Sequence, residues 1–145
     1  MSAAKTGYLQ NYKRTEIETA TPSKLLLMLY DGAIQRLESA EEHQQLGKWE
    51  AAHKDLVRVQ DILTELMVSL DWEMAGSPAP QLFSLYNYMH QALVKANVER
   101  ESEPIHEVNR MLSELRNAWQ EAISSVESGT LPQQAPQRRS VDLQG

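Results

Sequence analysis

No cysteine occurs in the 145 residues, so disulfide frameworks, zinc-thiolate sites and thiol nucleophiles are excluded, and the composition suits a reducing compartment. Long apolar runs are missing too: the longest, Leu25 to Tyr30, falls far short of the roughly 20 residues that span a bilayer. The first thirty residues show no basic patch followed by a long apolar stretch, so the chain is expected to be made without a signal peptide. Positive charge is in deficit, with 14 Lys+Arg against 20 Asp+Glu and a formal charge of -6, which repels a phosphate backbone and argues against nucleic-acid binding. Glycine and proline are scarce, six of each, and they act as punctuation rather than filler. What is present, 41% hydrophobic and 23% charged residues, is the composition of one folded domain able to bury its own core.

Between the glycine and proline marks the apolar spacing is helical. Thr21-Pro22 reads as an N-cap followed by proline at the first helical position, where the missing N–H has no partner to lose; a helix is expected over about 22–46. The next, about 48–73, carries Trp49, Leu56, Leu63 and Leu70 interleaved with Ala52, Val59 and Leu66, a seven-residue repeat held over three heptads. Gly76-Ser77-Pro78-Ala79-Pro80 breaks it. A third helix over about 80–100 puts Leu82, Leu85, Met89, Ala92 and Ala96 on one face, and a fourth over about 103–127 opens at Ser102 and Pro104 with the stripe Ile105, Val108, Leu112, Leu115, Trp119, Ala122 and Val126. Four helices of similar length with short connections predict an all-α, antiparallel up-down-up-down four-helix bundle over residues 21–129. Residues 1–20 carry Tyr8, Leu9, Tyr12 and Ile17, spaced as a lid segment lying along the bundle; residues 130–145 lack periodicity and read as a disordered tail.

The helices offer more apolar surface than one core needs. Beside the stripe Leu26, Leu29, Ala33, Leu37 and Ala40, the first helix has Leu27, Tyr30 and Ile34 about 100° away. The second adds Val57, Ile62 and Met67, and the third Phe83, Tyr88 and Leu93. A wide core stripe would absorb some of these. As a set they predict a groove for a partner helix, with Leu27, Tyr30, Ile34, Val57, Ile62 and Leu93 as its contacts. A self-associating structural bundle, in which a second copy closes this surface as a weak homodimer, is the alternative from another class.

Enzymatic chemistry finds little support, and no cofactor is expected. Glu50/His53 and Glu103/His106 have the Glu-x-x-His spacing of ferritin-like di-iron bundles. Both pairs sit one position off the buried phase and in first turns, where glutamate simply complements the helix dipole, so a di-metal protein is the weaker alternative. His43 and His90 have no partners for a triad, and no glycine-rich phosphate loop occurs. Gly32, inside the first helix, costs about 1 kcal/mol against alanine, which predicts a close helix contact there. Of the three tryptophans, Trp72 falls beside a loop and is left as a surface residue; Trp49 and Trp119 are expected in packing.

Several runs of residues also carry a resemblance. Thr19-Ala20-Thr21-Pro22-Ser23-Lys24-Leu25 followed by Met28-Leu29-Tyr30-Asp31-Gly32-Ala33-Ile34, then Ile62-Leu63-Thr64-Glu65-Leu66 and Ser69-Leu70-Asp71, then Leu85-Tyr86-Asn87-Tyr88-Met89, Ala96-Asn97, Glu107-Val108, Glu114-Leu115-Arg116 and Trp119, resemble in order and spacing the flagellin export chaperones called FliS. The resemblance covers about residues 8–122; the loop from Met74 to Pro80 departs from the glycine pair usual there. It implies a bacterial cytoplasmic chaperone, not an enzyme and without ATP. Such a chaperone binds the disordered C-terminal region of flagellin, prevents its premature polymerisation and helps deliver it to the flagellar type III export gate. It further implies that the N-terminal end is read by the cytoplasmic domain of the export gate membrane protein, with Tyr8 the best match.

Overall fold

The computed structural model describes residues 19–129, and four helices lie whole within them: α1 (Pro22–Gln45), α2 (Trp49–Val68), α3 (Ala79–Glu99) and α4 (Glu103–Glu127). No strand occurs among the described residues. Each helix packs on its chain neighbours and α1 also on α4, which closes a four-cornered antiparallel bundle in chain order. The expected lid residues Tyr8, Leu9, Tyr12 and Ile17, and the expected tail from 130 onward, lie outside the described residues.

Local chemistry sets the helix ends. Thr21 is extended and its Oγ1 accepts from the Lys24 backbone N–H at 3.2 Å, satisfying one of the orphan donors of the first turn. At the other end of α1, Gly47 adopts φ +72° while the N–H groups of Gly47 and Lys48 bond back to Gln44 and His43, a left-handed cap that glycine reaches without strain. α2 stops at Val68 rather than near 73. The heptad continues, since Leu70 is buried, but Ser69 Oγ donates to the Leu66 carbonyl and Asp71 Oδ1 accepts from the Glu73 N–H. These side chains give the backbone an alternative to the helical ladder. α3 begins at Ala79, whose N–H is held by Ser77 Oγ at 3.0 Å, with Pro80 in its first turn. It ends at Arg100 in the left-handed region, φ 55°, where a non-glycine residue is strained by about 1–2 kcal/mol. The Arg100 guanidinium lies 4.5 Å over the Trp49 ring, a cation–π contact that offsets part of that strain.

The core runs the length of the bundle: Leu26, Tyr30, Ala33, Leu37 and Ala40 from α1, Leu56, Val59, Ile62, Leu63 and Leu66 from α2, Leu82, Tyr86, Met89, Leu93 and Ala96 from α3, and Ile105, Val108 and Leu112 from α4. Each large aliphatic member contributes about 1.5–3 kcal/mol by leaving water. Two expectations are corrected here. The buried phase of α3 is Leu82, Tyr86, Met89, Leu93 and Ala96, while Leu85 is exposed, one position from the expected stripe. Tyr30, Ile62 and Leu93, expected as groove contacts, are core residues. A helix wedged between two neighbours must bury an arc wider than one stripe, and these three fall on its flanks.

One polar cluster crosses the core. Tyr30 and Tyr86 share a 2.5 Å hydrogen bond between hydroxyls, and Trp119 Nε1–H donates to the Tyr30 oxygen at 2.7 Å. Burial pushes the Tyr30 phenol up to about 12, outweighing the bonds from Tyr86 and Trp119, which pull the other way. The close contact expected at Gly32 is absent: a Cβ there would meet nothing within 4 Å.

Candidate functional site

With three of the expected contacts in the core, the other three are divided between two faces. Leu27 lines a groove of about 410 Å³ between the start of α1 and the end of α4, together with Lys24, Met28, Asp31, Arg116 and Ile123; Arg116 Nε donates to Asp31 Oδ1 across it at 2.9 Å. Ile34, two turns further on and on the same helical face, packs against the core and is half-buried. Val57 stands apart on α2 and is exposed.

Val57 belongs to the face formed by α2 and α3, where most of the unpartnered apolar surface lies. Val68 is 80% exposed, Val98 76% and Trp72 54%, with Phe83 and Val94 also exposed. Three contacts tie this face together from end to end. Arg100 covers Trp49, His53 Nδ1 meets Asn97 Nδ2 at 2.7 Å, and Trp72 stacks at a tilt on Phe83 with ring centroids 5.6 Å apart. By helical phase Val57 and Val68 on α2, and Phe83, Val94 and Val98 on α3, border this seam. From residue 59 to 94 the chain holds Asp61, Glu65, Asp71 and Glu73 and neither lysine nor arginine, so this stretch of sequence is acidic. Sequence reading named Val57, Phe83 and Trp72 but missed Val68, Val94 and Val98. The usable signal was the pair of valines four apart, outside the buried phase and followed by charged residues.

The polar clusters are structural. Asp55 is buried, and its Oδ1 accepts from Arg36 Nη1 at 2.9 Å while its Oδ2 accepts from Ser39 Oγ and pairs with His43 Nδ1, each at 2.8 Å. Serine, histidine and aspartate are the residue types of a hydrolytic triad, but the geometry is wrong for one. Both Ser39 Oγ, at 3.4 Å, and Asp55 address the same imidazole nitrogen, whereas a serine nucleophile needs the far nitrogen as its base. The cluster instead satisfies a buried carboxylate and pins α1 to α2. The Glu-x-x-His residues Glu50, His53, Glu103 and His106 are exposed; His53 engages Asn97, and His106 Nε2 pairs with Glu41 at 2.7 Å. Among the described residues no three His, Asp or Glu side chains are grouped to hold a metal ion, and no helix is long and apolar enough to cross a membrane.

Comparison with known proteins gives the family and the fold. The sequence pattern of the family described as "Flagellar protein FliS" matches residues 4–126. The chain is 31% identical over 114 residues to the flagellar secretion chaperone FliS of Bacillus subtilis (strain 168), covering 79% of this chain and 84% of that protein. It is 32% identical over 116 residues to the flagellar secretion chaperone FliS of Salmonella typhimurium, covering 79% and 86%. A solved structure titled "Crystal structure of flagellar chaperone from bacteria" superposes with a TM-score of 0.68 at 22% identity, over 81% of this chain and 98% of that one, and so shares the helical-bundle fold. A match of this extent, on a bundle with an unpartnered apolar face and no catalytic grouping among its described residues, places the chain in the FliS family of flagellar secretion chaperones.

Proposed function

We propose that this flagellar chaperone works in the bacterial cytoplasm, without catalysis, by holding the disordered C-terminal region of flagellin on its apolar faces until export. The observation that carries the reading is the α2–α3 face, where Val57, Val68, Trp72, Phe83, Val94 and Val98 stand in solvent although the bundle's own core is closed. A client segment that folds as an amphipathic helix would bury this surface, and that burial would offset the entropy lost in ordering it. Sequestering that segment keeps it from pairing with other flagellin copies. Of the six contacts expected from sequence, Val57 lies on this face, while Leu27 and Ile34 lie on the α1–α4 side, across the bundle from it, and form a second patch of the proposed client surface. Tyr30, Ile62 and Leu93 act beneath it, by fixing the helices. The N-terminal segment, with Tyr8, Leu9, Tyr12 and Ile17, covers part of the client surface when empty and is offered to the export gate when the client has displaced it.

Calorimetric titration with a peptide from the flagellin C-terminus tests this. One-to-one binding with a negative heat-capacity change and a gain in helicity is expected. Val57→Asp and Val94→Asp should each weaken it by about tenfold, or 1.4 kcal/mol, with unchanged far-UV circular dichroism. Unchanged affinity in both variants would remove the α2–α3 face from the reading.

A further inference from the structure

The groove between α1 and α2 lies on a different side of the bundle from the surfaces considered above and has an unusual floor. It encloses about 510 Å³ between a row on α1, Gly32, Gln35, Arg36 and Ser39, and a row on α2, Asp55, Arg58 and Ile62. From Gly32 to Ser39 the helix rises about 10 Å, room for about three residues of extended chain at 3.3 Å each.

Two features call for a ligand of particular chemistry. The first is charge. The whole chain is acidic, yet this groove carries two arginines and a single carboxylate that is already spent. Asp55 gives one oxygen to Arg36 and the other to Ser39 and His43. Arg36 is thereby held by one guanidinium nitrogen while its side chain stays 47% exposed, leaving further N–H donors of the five for something else. Arg58 is exposed and makes no ion pair among the described residues. The second feature is Gly32. It lies within α1, where glycine costs about 1 kcal/mol relative to alanine. No turn requires it, and no neighbouring helix approaches, since a Cβ would meet nothing within 4 Å. A bare backbone on the wall of a groove does permit close approach of another chain.

We infer that the α1–α2 groove is a second binding site, for an acidic peptide segment whose carboxylate side chain sits between Arg36 and Arg58 and whose backbone runs across Gly32. Asp55, with Ser39 and His43, positions Arg36 for this role, and Gln35 offers an amide to the peptide backbone. A guanidinium pair suits the flat, two-oxygen geometry of a carboxylate. The site is independent of flagellin binding on α2–α3.

The test uses the full chain and an oligoglutamate peptide, with sodium phosphate as a parallel arm, followed by NMR of backbone amides and arginine side chains. The peptide should cause saturable shifts confined to Gly32, Ser39, Arg36 and Arg58. Arg58→Gln should weaken it about tenfold, the loss expected for one charge-assisted contact. Gly32→Ala should weaken it as well while raising the urea midpoint, so that loss of binding cannot be ascribed to loss of fold. Neither variant should change the affinity for the flagellin peptide, which separates this site from the client face. The inference is overturned if shifts are scattered over the surface, if Gly32→Ala binds the oligoglutamate as well as the wild type, or if phosphate reproduces the same shifts at equal concentration, which would make this a simple anion site.

Discussion

Replacing Tyr30 by phenylalanine removes one oxygen from the middle of the bundle, and the structure sets the expected cost. That oxygen accepts from Trp119 Nε1 at 2.7 Å and shares a hydrogen bond with Tyr86. Two bonds at about 1 kcal/mol each, with part of the penalty for a stranded indole N–H, give a loss of about 2–3 kcal/mol. At about 4 °C per kcal/mol for a domain of this size, the melting temperature should fall by about 10 °C. Urea unfolding at neutral pH should show a lower midpoint at unchanged slope, because the buried area is the same.

The same residue carries a second, independent signature. Its phenol titrates near 12 in the folded state against 10.0 ordinarily. A folded-state value raised above the unfolded one contributes stability that is complete below pH 10 and lost as pH climbs toward 12. Two pH units correspond to about 2.7 kcal/mol. The wild type should therefore lose stability above pH 10 more steeply than Tyr30→Phe, and the gap between them should close. The alkaline response of the exposed Tyr88, whose phenol is raised by its hydrogen bond to Glu107, is common to both proteins and cancels. Equal stability at neutral pH, or a gap that stays constant across the alkaline range, would refute the reading of Tyr30 as a buried hub.

Ile62→Asp and Val57→Asp form a contrasting pair. The first puts a carboxylate into the core and should cost more than about 4 kcal/mol, enough to abolish the cooperative transition, whereas the second, at an exposed position, should shift stability by less than about 0.5 kcal/mol; similar melting curves for the two would show the faces are misassigned. Asp55→Ala should lose about 2 kcal/mol in chemical denaturation, less than a fully buried pair would, because Arg36 can rehydrate. Deleting residues 1–19 should tighten the flagellin peptide, since a closed state lowers apparent affinity by the open fraction, and should abolish capture of the loaded complex by the export gate domain. Affinity weaker than wild type by more than about tenfold in calorimetry would mean instead that Tyr8 and Tyr12 hold the client directly.

The helical architecture was legible residue by residue because helix periodicity is a local property. Of the expected α2 repeat, Ala52, Leu56, Val59, Leu63, Leu66 and Leu70 are buried while Trp49 is exposed, and of the α4 stripe Ile105, Val108 and Leu112 are buried while Leu115, Trp119, Ala122 and Val126 are only partly covered; Thr21-Pro22 caps α1 as short-range chemistry dictates. Family membership was legible for the same reason, since it rests on ordered short runs.

Tertiary packing decided what periodicity leaves open, which is how wide an arc of each helix is covered and by what. Tyr86 displaced Leu85 from the buried phase of α3 because its hydroxyl finds Tyr30, a partner 56 positions away that no local pattern reveals. Tyr30, Ile62 and Leu93 look like surplus on a helical wheel, yet each faces a neighbour once four helices close around one core. The clustering of Asp55 with Arg36, Ser39 and His43 likewise depends on the register of α1 against α2. Composition and spacing dictate which residues make helices, since those energies are local. Which of their apolar residues remain in water depends on distances between helices, and only the assembled bundle sets those.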